Sequence, residues 1–466
     1  VVSVVTLALG IAAATQFKTG GTGQQFQLTE THTWIKQIGA SYALGVDGIS
    51  LALILMSLVL VPVSILAAWR DVDDESESRQ KSYYALLLVL TTFMVGAFAA
   101  TDVFLFYVFF EAMLIPIYFL IGQFGGPRRQ YAAVKFFLYS FLGGLIMLAS
   151  VIGLFVASDT RLGQGTFDWT ALQGMAAQLP LSTQIPLFLG FFAAFAIKAP
   201  LVPFHTWLPD AGAEAPIAGS IILLGLLDKV GTFGFLRYTL PLFPAASQEL
   251  APLVLTLAVI GVLYGALLAA AQTDLKRFVA YTSIAHFGFI ALGIFAFSSQ
   301  SLAGSALYMV NHGISTAMLF LVVGLLIRRG GTADMTEYGG VGRAAPLLAG
   351  MFLVAGLSTI ALPGTNSFIS EFLVLLGSFP RQPAFTVIAT VVFADIGGYV
   401  AGVLFGRHPM APVISPKKSW EGFAGSAVTC LAAGWAVVVL LLDELRVVAP
   451  GLPARPPGWG GRAANA

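Results

Sequence analysis

The sequence predicts an all-α polytopic membrane protein of about thirteen transmembrane helices, two of them broken, built as inverted five-helix repeats. Three observations carry that expectation. Of 466 residues 57% are hydrophobic and 10% charged, with a mean hydropathy of +0.86, a balance that water-soluble chains of this length do not keep. Apolar stretches of the roughly 20 residues needed to cross a bilayer recur along the whole chain. Two of these stretches are interrupted by proline-containing text next to an ionisable residue.

The spans read at 1–15, 47–69, 83–100, 102–122, 133–157, 185–202, 215–240, 250–271, 278–298, 303–327, 346–378, 383–405 and 424–447. Taken alternately, one set of loops collects Arg70, Arg79, Lys81, Arg128, Arg129, Lys276, Arg277, Arg328, Arg329, Arg343, Arg407, Lys417 and Lys418, and the other only Lys18, Lys36, Arg161 and Arg381. The positive-inside rule puts the first set in the cytoplasm, with the first residue inside and the tail after residue 447 outside. The formal net charge of +1 gives no basis for a nucleic-acid or acidic partner. Cys430 stands alone in an apolar run, which excludes an internal disulfide, iron–sulfur ligation and a CxxC metal site. The glycines of TGGTGQQ at 19–25 follow no predicted strand and open no predicted helix, and GxxxxGK[ST] is absent. The sequence therefore supports no cofactor and no metal.

An Asp, Lys or Arg at the centre of a membrane helix costs about 2.5–3.5 kcal/mol on insertion scales. Glu111 nevertheless sits in VFLFYVFFEAMLIPIYFLI, Lys198 ends PLFLGFFAAFAIKAP, Lys229 lies in IAGSIILLGLLDKVGTFGFL, and Glu371 follows LPGTNSFIS. Lys135 and Arg237, nearer span ends, read as snorkelling to the interface. Structural ion pairs would explain any one of these charges. The order acid, base, base, acid on four different spans favours a proton switch, because burial disfavours the charged form of each group and a single added proton shifts the balance. His286 in YTSIAHFG and His312 in MVNHGISTAM supply groups between them that can pass protons.

Around Lys198 the text IKAPLVPFHTWLPDAGAEAP places prolines at 200, 203, 209 and 216, so the helix must break there. The stretch 346–378 is too long for one straight crossing, and LPGTNS at 362–367 interrupts it just before Glu371. Unwound backbone at membrane depth survives only where protein or a water-filled cavity covers it. Five spans separate the breaks, the spacing of two tandem five-helix units; an odd number of helices inverts the second.

These residues also carry a resemblance. FYVFFEAMLIPIYFLIG, IKAPLVPFHTWLPDAGAEAP, LLDKVGTFGFLRY, AQTDLKRFVAYTSIAHFG, NHGISTAMLF and ALPGTNSFISEF, in that order, closely resemble the antiporter-like M subunit of bacterial respiratory complex I over residues 1 to about 390. The resemblance implies a membrane domain in which Glu111 and Lys198 form an acid–base pair, Lys229 is the central lysine, His286 and His312 pass protons on, and Glu371 is the terminal acid. It implies one proton per cycle, coupled to quinone reduction elsewhere in a complex whose other membrane subunits, neighbouring antiporter-like ones included, are the partners. It implies a multi-pass protein of the bacterial plasma membrane, a translocase subunit without catalysis of its own. It implies that the first span corresponds to the family's second, with one N-terminal helix missing.

After about residue 390 the text changes. VVFADIGGYVAGVLFGRHPMAPVISPKKSWEGFAGS resembles a piece of CDP-diacylglycerol synthase, without the acidic cluster that family carries further on, so 391–447 is expected as a two-span segment without catalysis, and 448–466 as a disordered Pro/Gly-rich tail. Two other functions fit parts of the chain: a subunit of a multisubunit sodium/proton antiporter, and a phosphatidate cytidylyltransferase fusion. A fusion that inserts and does no work is a third possibility.

Overall fold

The computed structural model describes residues 1–19 and 25–390, and beyond these the backbone of two short strands, Pro409–Ala411 and Ser415–Ser419. Two compact units divide between Thr386 and Val387. Within the first, the chain runs as α1 (Val2–Gln16), a hairpin β1 (Gln27–Ile35) and β2 (Ala40–Val46), α2 (Gly48–Ala67), α3 (Glu77–Ala99), α4 (Val103–Ala112), α5 (Leu114–Phe124), α6 (Arg129–Leu162) and α7 (Trp169–Ala176). It continues through α8 (Leu181–Lys198), α9 (Trp207–Glu214), α10 (Ile217–Leu242), α11 (Ala251–Ala270), α12 (Leu275–Phe295), α13 (Ser299–Gly330), α14 (Pro346–Thr359), α15 (Asn366–Ser378) and the start of α16 (Pro383–Ala389).

Among the described residues nine helical spans are long and apolar enough to cross a membrane. Two further expected spans appear as shorter helices: 1–15 as α1, and 346–378 as the pair α14 and α15. The span 383–405 begins as α16 and then leaves the described residues, and 424–447 lies outside them, as do Cys430, the glycines of 20–24, most of 391–447, where a synthase fragment was expected, and the tail. In the second unit the described part is the end of α16 and an antiparallel pairing of Pro409–Ala411 with Ser415–Ser419.

The β1–β2 hairpin is an addition to the expected helices. QLTETHTWI is too polar for the bilayer and rich in β-branched and aromatic residues. Gly39, at φ +67°, closes the turn. The hairpin is tied to the bundle through Asp102, which accepts from Ser41 N at 2.9 Å and caps α4 through Leu105 N.

Helix starts follow from side-chain caps: Asp47 and Ser50 form a capping box on α2, Asp274 caps α12 and Ser298 caps α13. Small residues set the packing, as expected where lipid removes the hydrophobic drive between helices. On α6, Ala132, Ala133, Ser140, Gly143 and Gly144 turn inward, while Leu138, Leu142 and Leu145 are exposed. Gly265 of α11 and Gly288 of α12 face the partner's backbone directly: a Cβ on Gly288 would lie 2.5 Å from Ala258 O. The helix buried almost all round is α10, which contains two widened π turns, Leu223–Leu227 and Phe235–Thr239, on either side of Lys229.

Candidate functional site

Glu111 lies at the end of α4. The span breaks two residues later at Met113, because Pro116 has no N–H for the Ala112 carbonyl and its ring crowds that position. The Glu111 carboxylate fills the notch over Gly144 of α6, where a Cβ would collide with Oε1, and Oε1 has no hydrogen-bond partner. The adjacent Gly143 lets α8 approach, since a Cβ there would meet Ile197 and the Ala194 backbone. Gly144→Ala is therefore expected to expel the carboxylate while leaving the α6–α8 contact intact. The measurement is proton translocation by the assembled complex: it should fall in Gly144→Ala and recover partly when Glu111→Asp, one methylene shorter, is added. Normal translocation in Gly144→Ala alone would contradict this.

Lys198 is the last residue of α8. Pro200 cannot continue the helix, so Leu201 N turns back to Ala196 O at 2.9 Å. The freed Ile197 carbonyl accepts from the Trp207 indole at 2.9 Å, which explains the Trp in HTWLP. The Lys198 ammonium is buried, has no hydrogen-bond partner, and lies 5.2 and 5.3 Å from the ring centroids of Phe110 and Phe136. Two aromatic faces contribute about 0.5–2 kcal/mol to holding a cation. The expected Glu111–Lys198 side-by-side pair is thus not an ion pair here. Glu111 is drawn into the glycine notch and Lys198 into an aromatic sleeve on neighbouring helices.

Lys229 is fully buried and fully satisfied. Its Nζ donates to Leu224 O at 2.6 Å within the first widened turn and to Asp228 Oδ1 at 3.0 Å, and lies 2.7 Å from His312 Nδ1 on α13. An ammonium has three donors, so this arrangement makes His312 Nδ1 an acceptor, and its Nε2–H donates to Thr316 Oγ1 at 3.2 Å. The ring of His312 packs against that of His286 at 5.1 Å between centroids, and His286 lies 6.0 Å from Tyr308. Tyr308 donates to Glu371 Oε2 at 3.1 Å. Four of the six expected residues, Lys229, His312, His286 and Glu371, thus form one line of contacts.

Glu371 is held by the second break. The helix ends flanking the unwound chain between α14 and α15 are clamped to α13 and to each other: Asn311 donates to Asn366 O at 2.7 Å and to Ser370 Oγ at 3.1 Å, Ser315 meets Ser358 and Ser367, and Ser358 donates to Asn366 Oδ1 at 2.5 Å. These bonds supply the partners that a lipid-facing break would lack.

Lys135 and Arg237, expected to snorkel to the interface, are each paired with an acid on another element. Lys135 bonds Asp210 of α9 at 2.7 Å, and Arg277 bonds the other oxygen of the same carboxylate at 2.6 Å. Arg237 is 5% exposed, pairs with Asp47 at 2.5 Å, and lies over Phe26, Phe233 and Trp169. Arg237 is held inside by its acid, whereas Lys135 stays partly exposed. Sequence reasoning missed Asp228, Asp210 and Tyr308. Asp228 was visible in LLDKVG as a second charge at mid-span; Tyr308, four residues before His312 and so on the same helix face, carried a weaker signal.

Residues 100–397 match the family model for NADH:quinone oxidoreductase/Mrp antiporter membrane segments, and residues 24–97 match that for the amino terminus of NADH-ubiquinone oxidoreductase chain 4. The NADH-quinone oxidoreductase subunit M of Mycobacterium tuberculosis is 49% identical, over 84% of this chain and 77% of the relative. Among solved structures, a chain of respiratory complex I from Thermus thermophilus with bound NADH aligns at a TM-score of 0.75 and 29% identity, covering 96% of this chain and 90% of that one. A chain of the Mrp complex from Dietzia sp. shares the fold at a TM-score of 0.74 and 20% identity, covering 97% of this chain and 54% of that one.

Proposed function

This chain belongs to the family of NADH-quinone oxidoreductase subunit M, the antiporter-like proton-translocating membrane subunits of complex I, and from that membership we propose the route its protons take. A proton enters the Glu111–Lys198 region, shifts the load onto Lys229, passes to His312 and His286, and leaves by Tyr308 and Glu371. The observation that carries this reading is the direct contact of Lys229 with His312, continued by the His286 ring towards the Tyr308–Glu371 hydrogen bond. All of these groups lie on helices of a multi-pass membrane protein, and the breaks next to Lys198 and Glu371 leave backbone that can move without unfolding a whole helix.

On this reading the subunit performs no electron transfer of its own; it is driven by quinone reduction in neighbouring subunits of a complex in the bacterial plasma membrane, with its basic loops in the cytoplasm. Residues 1–390 are the working domain. The synthase-like stretch 391–447, outside the described residues apart from its two short strands, is assigned no activity.

The test is the proton-to-electron ratio of the whole complex reconstituted in vesicles. Glu371→Gln keeps the size of the side chain and its bond to Tyr308 but cannot release a proton, so the ratio is expected to fall. The same drop should occur in sodium-free medium, which separates this function from sodium exchange. An unchanged ratio would sink the route.

A further inference from the structure

We propose that Asp228 is a proton-exchanging group, the acid through which Lys229 is loaded; this rests on the route given above and adds a residue to it. Asp228 and Lys229 are consecutive and both completely buried. A carboxylate at that depth is costly unless charge and hydrogen bonds compensate it. Here the compensation is one-sided: Asp228 Oδ1 accepts a hydrogen bond from the Lys229 ammonium at 3.0 Å, while Oδ2 is buried with no hydrogen-bond partner. A purely structural counter-ion would be expected to have both oxygens satisfied, as Asp210 does with Lys135 and Arg277.

The placement of the pair on α10 suits exchange. Lys229 faces α13: it reaches His312 there, and Thr232, three residues on, touches Met309 of the same helix. Asp228 is one residue earlier, about 100° round the helix, between the faces of Gly231 and Thr232. Gly231 packs on the broken end of α8, where a Cβ would meet Ala199 N at 2.5 Å and Phe195 O at 2.7 Å. Asp228 thus lies between the face of α10 that adjoins the helix of Lys198 and the face that adjoins His312, with one oxygen bonded to Lys229 and the other free.

The steps balance without any redox change. A proton arriving on the α8 side bonds to Asp228 Oδ2, and the carboxylate becomes a neutral acid. Lys229 loses its counter-charge, its bond to the hydrogen shared with His312 breaks, and that proton forms a new N–H bond at Nδ1. The Asp228 proton then moves to the lone pair of the Lys229 amine, restoring carboxylate and ammonium. One proton has entered at Asp228 and one has left on His312.

The experiment uses the complete complex in vesicles with Asp228→Asn, Asp228→Glu and Lys229→Met, read by proton translocation and by infrared difference spectra between resting and turning-over enzyme. Asp228→Asn keeps shape and the acceptor for Lys229 but holds no exchangeable acid; translocation should drop by roughly 10²-fold, and Asp228→Glu should restore much of it. The wild type should show a carboxylic-acid C=O band that moves in Asp228→Glu and is lost in Asp228→Asn. If Asp228→Asn does not assemble, the shift of that band between wild type and Asp228→Glu decides. Full translocation in Asp228→Asn, or a carboxyl spectrum identical in wild type and Asp228→Glu, overturns the proposal. Full translocation in Lys229→Met would instead overturn the route on which it rests.

Discussion

Replacing Lys229 by methionine is expected to stop proton movement through this subunit and to lower the yield of assembled complex. The two effects have separate causes. Methionine fills the volume of the lysine stem but donates to none of Leu224 O, Asp228 Oδ1 and His312 Nδ1, so the line of exchangeable protons is cut. It also leaves Asp228 as an uncompensated buried acid, and removing one partner of a buried pair costs about 3–5 kcal/mol. Adding Asp228→Asn to Lys229→Met should therefore recover assembly, measured as intact complex on native gels, without recovering translocation. Recovery of both together would mean that Lys229 only neutralises charge.

The second large effect is expected in packing. Gly288→Val places a branched side chain where even a Cβ would lie 2.5 Å from Ala258 O and 2.9 Å from Val262 N. Both are backbone atoms of a regular helix and cannot rotate away. On the facing helix Gly265 is as tight, its Cβ position lying 2.7 Å from Ala285 N. Helices α11 and α12 must then separate, and overpacking of this kind costs about 1–3 kcal/mol or more. His286 is two residues from Gly288 on the same helix, so the separation also pulls a member of the proposed relay out of place. The unfolding midpoint of the solubilised complex should fall, and Gly288→Ala should fall by less. A midpoint unchanged by valine would contradict this close packing.

Much of this was legible in the sequence because a membrane makes each charge expensive. Glu111, Lys198, Lys229 and Glu371 stood out as costly exceptions in apolar text, and the prolines at 200 and 363 marked where two helices stop. What was not legible was pairing across helices. The partners Lys135–Asp210 and Arg237–Asp47 are 75 and 190 residues apart, and no local periodicity reports such contacts. The hairpin was hidden because it lies in a short polar connection between two strong hydrophobic signals. The distance between Glu111 and Lys198 side chains depended on glycines of a third helix, which sequence spacing along either element does not encode.

The two π turns flanking Lys229 have a consequence for how this helix tolerates changes of length. Each accommodates one more residue per turn than a regular helix, so deleting a single residue from Leu223–Leu227 would let the segment tighten into ordinary α-helix with no hydrogen bond lost. The phase beyond the deletion would be nearly kept, because about five residues of widened turn cover about the same rotation as about four of ordinary α-helix. The change would fall on the carbonyls of the turn, Leu224 O among them, to which the Lys229 ammonium donates. The first widened turn thus presents a carbonyl to Lys229 and does not set the register of the helix beyond it.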